Sequence, residues 1–432
     1  MTERQDIRGL VDHLFRREAG RMVAALTRAF GPENLDLAED VVQEALIQAL
    51  RTWPFRGVPD QPAAWLIRVA KNRALDLLRR NGNLASKEES IRGWVEALSS
   101  SAGPAPGEEE LDDQLRMIFI CCQPAVPKEA RVALTLKTVG GFGVPEIARA
   151  FLAKEATVAQ RLVRAKHKIR EIRPPFAVPP PDELPEALDA VLEVLYAMFN
   201  EGHMAGSGTE LVRRDVCLEA VRLARLVAEH PGLDTPEAHA LAALLLLQAS
   251  RLDTRLDAEG NLLLLQDQDR SLWNREMLTA GFAHLDRAAR GSELSVYHLE
   301  AGIAACHATA ATWAETDWPH ILRLYGALLE RKPSPVVALN RAVALAQVEG
   351  PRAGLAALEP LREDPALAGY LPLHATRGEL LARSGDREEA AVAFRTALDL
   401  EAPEPVRRSL EKRLRELSGA ERHGVPARRR RR

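Results

Sequence analysis

The chain predicts an all-α protein: two small helical domains joined by a polar linker, followed by a long helical body. Three observations carry that reading. Apolar residues recur at spacings of three and four through almost all of the 432 residues, Ala, Leu, Arg and Glu dominate, and alternating β-branched runs are nearly absent. An apolar content of 46% with 28% charged residues supports a sizeable core and argues against disorder. Polar or proline-rich breaks cut the helical pattern in two places, and a prior of roughly 150 residues per domain allows two to four units.

Charge separates the units. The formal net charge is −3, from 58 Lys plus Arg against 61 Asp plus Glu. Up to Pro175 there are 27 basic and 23 acidic residues, a net of +4, and beyond it 31 and 38, a net of −7. The near-neutral total therefore averages a basic front and an acidic back, a pairing in which the body has the sign to mask the basic helices. Cys121 and Cys122 are adjacent and Cys217 and Cys306 isolated, which makes neither a disulfide framework nor a CxxC metal site and fits a reducing, cytoplasmic setting. Arg4, Asp6, Arg8 and Asp12 argue against a signal peptide. The longest apolar run, Ala240 to Leu247, falls well short of the roughly 20 residues that span a bilayer, so no membrane partner is expected.

Residues 1–82 form the first helical domain. Ala38 to Leu50 is an amphipathic helix in which Asp40, Gln43 and Glu44 share a polar stripe, an acceptor-rich surface for a basic partner. Pro54, Gly57, Pro59 and Pro62 break the chain. It resumes from Ala64 to Arg80 as a basic helix with Arg68, Lys71, Asn72 and Arg79 on one side. Residues 83–110 read as a flexible linker rich in Ser, Gly, Pro and Glu, with one short helix near Ile91 to Leu98.

Residues 111–174 are the most informative. A helix from Lys128 to Thr138 is stopped by Gly140-Gly141-Phe142-Gly143. Val144 to Phe151 forms a short helix with Pro145 in its first turn, where the missing amide donor does no harm. Leu152 to Glu155 turn the chain, and a longer helix runs from Thr157 through Glu171. Short helix, tight turn and longer helix make a helix-turn-helix. Val158, Leu162, Ala165 and Ile169 supply the packed face of the second helix. Thr157, Gln160, Arg161, Arg164 and Lys168 lie on outward faces, with donors suited to guanine edges and phosphates. A solvated basic face would explain the charge alone, but the preceding turn-helix favours nucleic acid.

Residues 175–182 are a proline-rich spacer that no helix crosses. The body, residues 183–420, contains a repeat: an offset of 36 places Ala342 on Gly378, Leu345 on Leu381, Gly354 on Ala390 and Leu358 on Phe394. The second copy, Gly378 to Leu398 with a Gly385-Asp386 turn, resembles a tetratricopeptide unit, and such units bury their apolar faces by stacking. Residues 421–432 end in five Arg and read as a disordered tail.

Together, the Asp40-Val-Val-Gln43-Glu44 helix, the Trp65 to Arg80 helix, the linker and the Glu146 to Lys168 helix-turn-helix resemble regions 2 and 4 of a bacterial extracytoplasmic-function sigma factor of the sigma-70 superfamily. Leu115 to Ala125, Tyr196 to His203, Asp267 to Trp273 and Ser334 to Ala342 resemble the subgroup with a long C-terminal tetratricopeptide-like extension. One departure is Gln123, where that subgroup has His after the Cys pair; this speaks against a metal site there.

The resemblance implies region 2 at 1–82, region 4 at 111–174 and a cytoplasmic protein whose partners are core RNA polymerase, through its clamp coiled coil and flap, and promoter DNA. Asp40, Gln43 and Glu44 would dock on the polymerase. Trp65, Arg68, Lys71, Asn72, Arg73, Arg79 and Arg80 would contact the −10 element, with Trp65 available to stack on an unstacked base. Thr157, Gln160, Arg161, Arg164 and Lys168 would contact the −35 element. No catalytic residue, cofactor or metal is called for, and phosphate loops, HExxH and GxSxG are absent from the sequence. The extension is expected either to regulate, by binding a protein, peptide or small ligand, or to support folding and docking. The competing class is a helix-turn-helix regulator that carries a protein-interaction domain without replacing the polymerase sigma subunit.

Overall fold

The computed structural model describes residues 18–80, 108–151, 153–203, 213–257 and 259–419. These residues form helices without strands, apart from an isolated antiparallel bridge between Leu256 and Leu262. The chain divides into two compact units, Met1–Met198 and Phe199–Arg432. The expected helix at Ile91 to Leu98 and the Arg tail lie outside the described residues.

The front unit begins with α1 (18–30), α2 (Leu35–Arg56) and α3 (Pro62–Arg80). Leu35, Ala38, Val41, Val42, Ala45, Ala49 and Trp53 repeat at helical spacing on α2 and are buried, facing Leu66, Ala70 and Ala74 of α3. The acidic helix is longer than the sequence pattern suggests. Pro54 sits in its last turn, where only one ladder bond is lost, and Gly57, at φ +80°, ends it.

There follow α4 (Glu108–Cys121), α5 (Lys128–Thr138), α6 (Val144–Ala150) and α7 (Glu155–Ile172). The Glu146 carboxylate accepts from the Gly143 amide at 2.7 Å, closing the start of α6 around Pro145. The packed face expected of α7, Val158, Leu162, Ala165 and Ile169, is buried against α5 and α6. Two features tie α1 to this group. A Cβ on Gly20 would lie 1.9 Å from the carbonyl oxygen of Val139, so the helix crosses that backbone where only glycine fits, and Arg28 bridges to Asp113 at 3.3 Å.

The helix α8 (Leu184–His203) carries the boundary between the two units. In the back unit, α9 (Arg214–Glu229), α11 (Arg275–Ala288) and α12 (Val296–Thr309) surround α10 (Pro236–Ala249). The Ala240 to Leu247 run lies on α10, which is apolar all round because neighbours cover every side. No helix among the described residues is long and apolar enough to cross a membrane.

The rest is a series of helical hairpins: α13 (Trp318–Arg331), α14 (Pro335–Val348), α15 (Pro351–Leu358), α16 (Leu371–Ser384), α17 (Arg387–Leu398) and α18 (Glu404–Gly419). The starts of α14 and α15 recur 36 residues later as the starts of α16 and α17. Successive cores share helices: Leu339, Ala342 and Leu358 pack with Leu373 and Leu380, while Leu381 packs with Phe394 and Leu410. Gly378 lets the Phe394 ring approach to 2.9 Å of where a Cβ would stand.

Candidate nucleic-acid interface

On α7 the outward residues separate into two faces. Thr157, Gln160 and Arg164 are exposed and Arg161 and Lys168 half-exposed, all away from the buried stripe. Lys168 is held to Glu171 at 2.9 Å, which leaves Arg161 and Arg164 as the extended cations of this surface. The exposed Lys168 bridge keeps the Glu171 carboxyl below its ordinary range, first through the hydrogen bond and then through the charge.

The second face, which the sequence reading missed, packs on α2. Lys166 Nζ lies 2.7 Å from Glu39 Oε2 and 3.1 Å from Asp36 Oδ1, and Arg170 donates to Asp36 Oδ2. Glu39 is 5% exposed, and its second oxygen, Oε1, is buried without a partner. Burial alone would lower the Lys166 ammonium, but the Glu39 charge and the bonds to Glu39 and Asp36 outweigh it and hold the group above its ordinary value. The only available signal was that Asp36 and Glu39 continue the acidic stripe toward the N-terminus of α2; nothing local links them to cations 127 and 134 residues away.

Asp40, Gln43 and Glu44 are exposed on α2, as expected of a docking stripe. Exposed Ile47, at 42%, and Leu50, at 51%, extend it with apolar surface. On α3, Arg68 and Asn72 are exposed and Arg73 half-exposed. Trp65 is half-buried, its ring edge-on to Trp53 with centroids 5.6 Å apart. One indole therefore packs against the domain while part of it faces out. The side chains of Lys71, Arg79 and Arg80 lie outside the described residues.

Cys121 and Cys122 are buried in α4 and the turn after it. The Cys121 Sγ contacts Thr138 Oγ1 at 3.1 Å, and burial pushes its thiol up to about 12. Burial also raises Cys122, reinforced by Cys121. Among the described residues no three His, Cys, Asp or Glu are grouped to hold a metal ion. Thiolate is the reactive form, so both cysteines are expected to resist alkylation by iodoacetamide in the folded protein and to label on unfolding. Mass spectrometry of labelled peptides checks this, with half-exposed Cys306 as the internal comparison.

Residues 14–83 match the Sigma-70 region 2 family and residues 110–169 the Sigma-70 region 4 family. Residues 187–289 match a family of unknown function, DUF6596. The chain is 45% identical to an uncharacterized protein of Rhizobium meliloti strain 1021 over 88% of its own length and 89% of that protein. It is 32% identical to the ECF RNA polymerase sigma-E factor of Escherichia coli K12 over 34% of its length and 78% of that protein. With the ECF RNA polymerase sigma factor SigE of Mycolicibacterium smegmatis it shares 29% identity over 37% of its length and 60% of that protein. No solved structure matches the chain.

Proposed function

The chain belongs to the ECF RNA polymerase sigma factors, and from that premise we propose how its surfaces divide the work. It binds core RNA polymerase and directs promoter-specific transcription initiation; bond making and breaking belong to the polymerase, not to this chain. In our reading region 2 occupies residues 1–82, region 4 residues 111–174 and the extension residues 183–420, all in the cytoplasm.

Asp40, Gln43 and Glu44 dock on the polymerase clamp. Trp65, Arg68, Lys71, Asn72, Arg73, Arg79 and Arg80 engage the −10 element. Thr157, Gln160, Arg161, Arg164 and Lys168 face the −35 element. The observation that carries this division is the outward, unpaired pair Arg161 and Arg164 on the second helix of a helix-turn-helix, in the same chain as an exposed acidic stripe on α2. Cations on such a helix bind phosphate and base edges, while the stripe has the opposite sign and suits a protein partner.

The test is to add the purified chain to core RNA polymerase and map transcript starts. The expected result is discrete, promoter-dependent transcripts; unchanged non-specific output from a folded preparation would sink the reading.

The extension, in this proposal, regulates that activity. A truncation that asks whether it inhibits or supports must keep the chain through Met198, because the front unit extends past the proline spacer and Lys128 bridges to Glu193 of α8 at 2.8 Å.

A further inference from the structure

The extension contains a buried cationic cluster that neither region 2 nor region 4 uses. Arg251 and Arg255 flank the single turn Leu252–Thr254 after α10, and Arg270 opens the turn Arg270–Leu272. Arg255 is 8% exposed. A guanidinium this buried ordinarily faces a carboxylate.

Here every partner is neutral. Arg251 donates from Nε and Nη2 to Gln248 Oε1 at 3.1 and 2.7 Å. Arg255 Nη1 donates to the His203 carbonyl. Arg270 donates from Nη1 to the carbonyls of His307 and Ala310 at 2.8 and 3.0 Å, and from Nη2 to Thr316 Oγ1 at 3.0 Å. Among the described residues no carboxylate forms a salt bridge with any of the three. Glu315 influences Arg270 only at a distance, and Glu300 lies toward Tyr325 and Lys332.

The surroundings are short of partners as well. His203 Nε2, His307 Nδ1, Gln268 Oε1 and Trp273 Nε1 are all buried without a hydrogen-bond partner. Gln268 is tied to the same loop, since its Nε2 donates to the Leu263 carbonyl at 3.1 Å and the Leu263 amide donates to the Arg255 carbonyl at 2.9 Å. Burial, then Arg255 and Arg251, holds the His203 imidazole well below its ordinary value, and burial with Arg270 and Arg251 takes His307 to about 3. Both rings are therefore neutral. Burial, then repulsion from Arg255, brings Arg251 down to about 9, and the charge that acts on the cluster from the described carboxylates is that of Glu315 on Arg270.

Among the described residues Arg251 Nη1 and Arg255 Nε and Nη2 have no hydrogen-bond partner. Concentrated positive charge, guanidinium donors left over and no carboxylate in salt-bridge contact among the described residues are the elements of an oxyanion site. The segments Tyr196 to His203 and Asp267 to Trp273, unconnected in the sequence, both contribute residues to it.

We propose that this cluster binds a small anionic ligand bearing a carboxylate or phosphate group, whose oxygens accept from the free N–H groups of Arg251 and Arg255. The burial of Arg255 and of the polar atoms around it fits a small molecule and not a nucleic-acid backbone.

The test uses the full chain, without polymerase, so it stands apart from the sigma-factor assignment. Inorganic phosphate and succinate are titrated separately by calorimetry and by thermal unfolding, at an ionic strength held constant with sodium chloride. A saturable heat and a rise in the unfolding temperature with at least one probe is the expected result, and which probe acts separates phosphate from carboxylate recognition. Arg251→Met removes an unpaired buried charge; it is expected to abolish the response while unfolding, ligand-free, no earlier than the wild type. Arg255→Lys keeps the charge but loses the two-pronged donor and should weaken binding at least tenfold, which decides the matter if Arg251→Met does not fold. No saturable response, a response reproduced by chloride, or equal responses in wild type and variants would overturn the proposal.

Discussion

Replacing Lys166 with Met is expected to destabilise the front unit by about 3–5 kcal/mol, because it leaves a carboxylate buried without its counter-ion. The side chains of Lys166 and Glu39 are only 15% and 7% exposed, and Glu39 Oε1 already lacks a partner. Removing both charges, with Glu39→Gln and Lys166→Met together, should cost far less than the sum of the single changes, since the desolvation of both ions is relieved at once. Urea denaturation of the four proteins in this cycle measures the coupling; additive costs would show that the pair does not hold α2 to α7. The pH dependence has a definite sign. The Lys166 group lies above its ordinary 10.5, so its contribution is complete below that value and is lost only as pH rises through the elevated one. The same bridge bears on activity. Asp36, Asp40 and Gln43 recur at intervals of four and three, on one face of α2, so a partner docked on that stripe meets α7 where Arg170 holds Asp36. Arg170→Ala, which frees Asp36, is accordingly expected to bind core polymerase more tightly than wild type in a titration of the two proteins.

Arg161→Ala and Arg164→Ala are each expected to weaken −35 recognition by about 1–3 kcal/mol, roughly five- to 150-fold, if the guanidinium is bidentate to a base. If an arginine touches phosphate instead, the loss will be uniform across sequences and the slope of log affinity against log salt will fall by about one. Anisotropy titrations of holoenzyme with matched and scrambled −35 duplexes distinguish the two cases. Lys168→Ala should have the smaller effect, because that ammonium is already engaged by Glu171. Equal binding by all three variants and the wild type would remove α7 as the reading helix.

Much of this organisation was legible in the sequence because it rests on local regularities. The start of α6 at Val144 follows from a proline with no amide to lose and a glutamate three residues past Gly143. The packed stripe of α7 follows from the spacing of Val158, Leu162, Ala165 and Ile169. The 36-residue repeat reappears as helix pairs of the same spacing. The length of α2 was not legible: Pro54 and Gly57 read equally as breakers, and only Gly57 stops the helix, because a proline in the last turn costs little. Trp65 illustrates a different limit, since spacing does not say whether an indole faces solvent or a neighbour, and here Trp53 takes one edge.

By itself, then, the sequence determined the all-α class, the order of the units, the helix-turn-helix and the cations on its outward face. Each of these depends on residues within a turn or two of one another. Only the tertiary structure decided which cations are spoken for. Lys166 and Arg170 share their helix and charge with Arg161 and Arg164, yet the first two meet carboxylates brought from α2 and the second two do not. Arg251 and Arg255 became a cluster for the same reason: burial and proximity are properties of segments packed together, and a charge shows its cost only when the groups that desolvate it, and the partners it lacks, are in place.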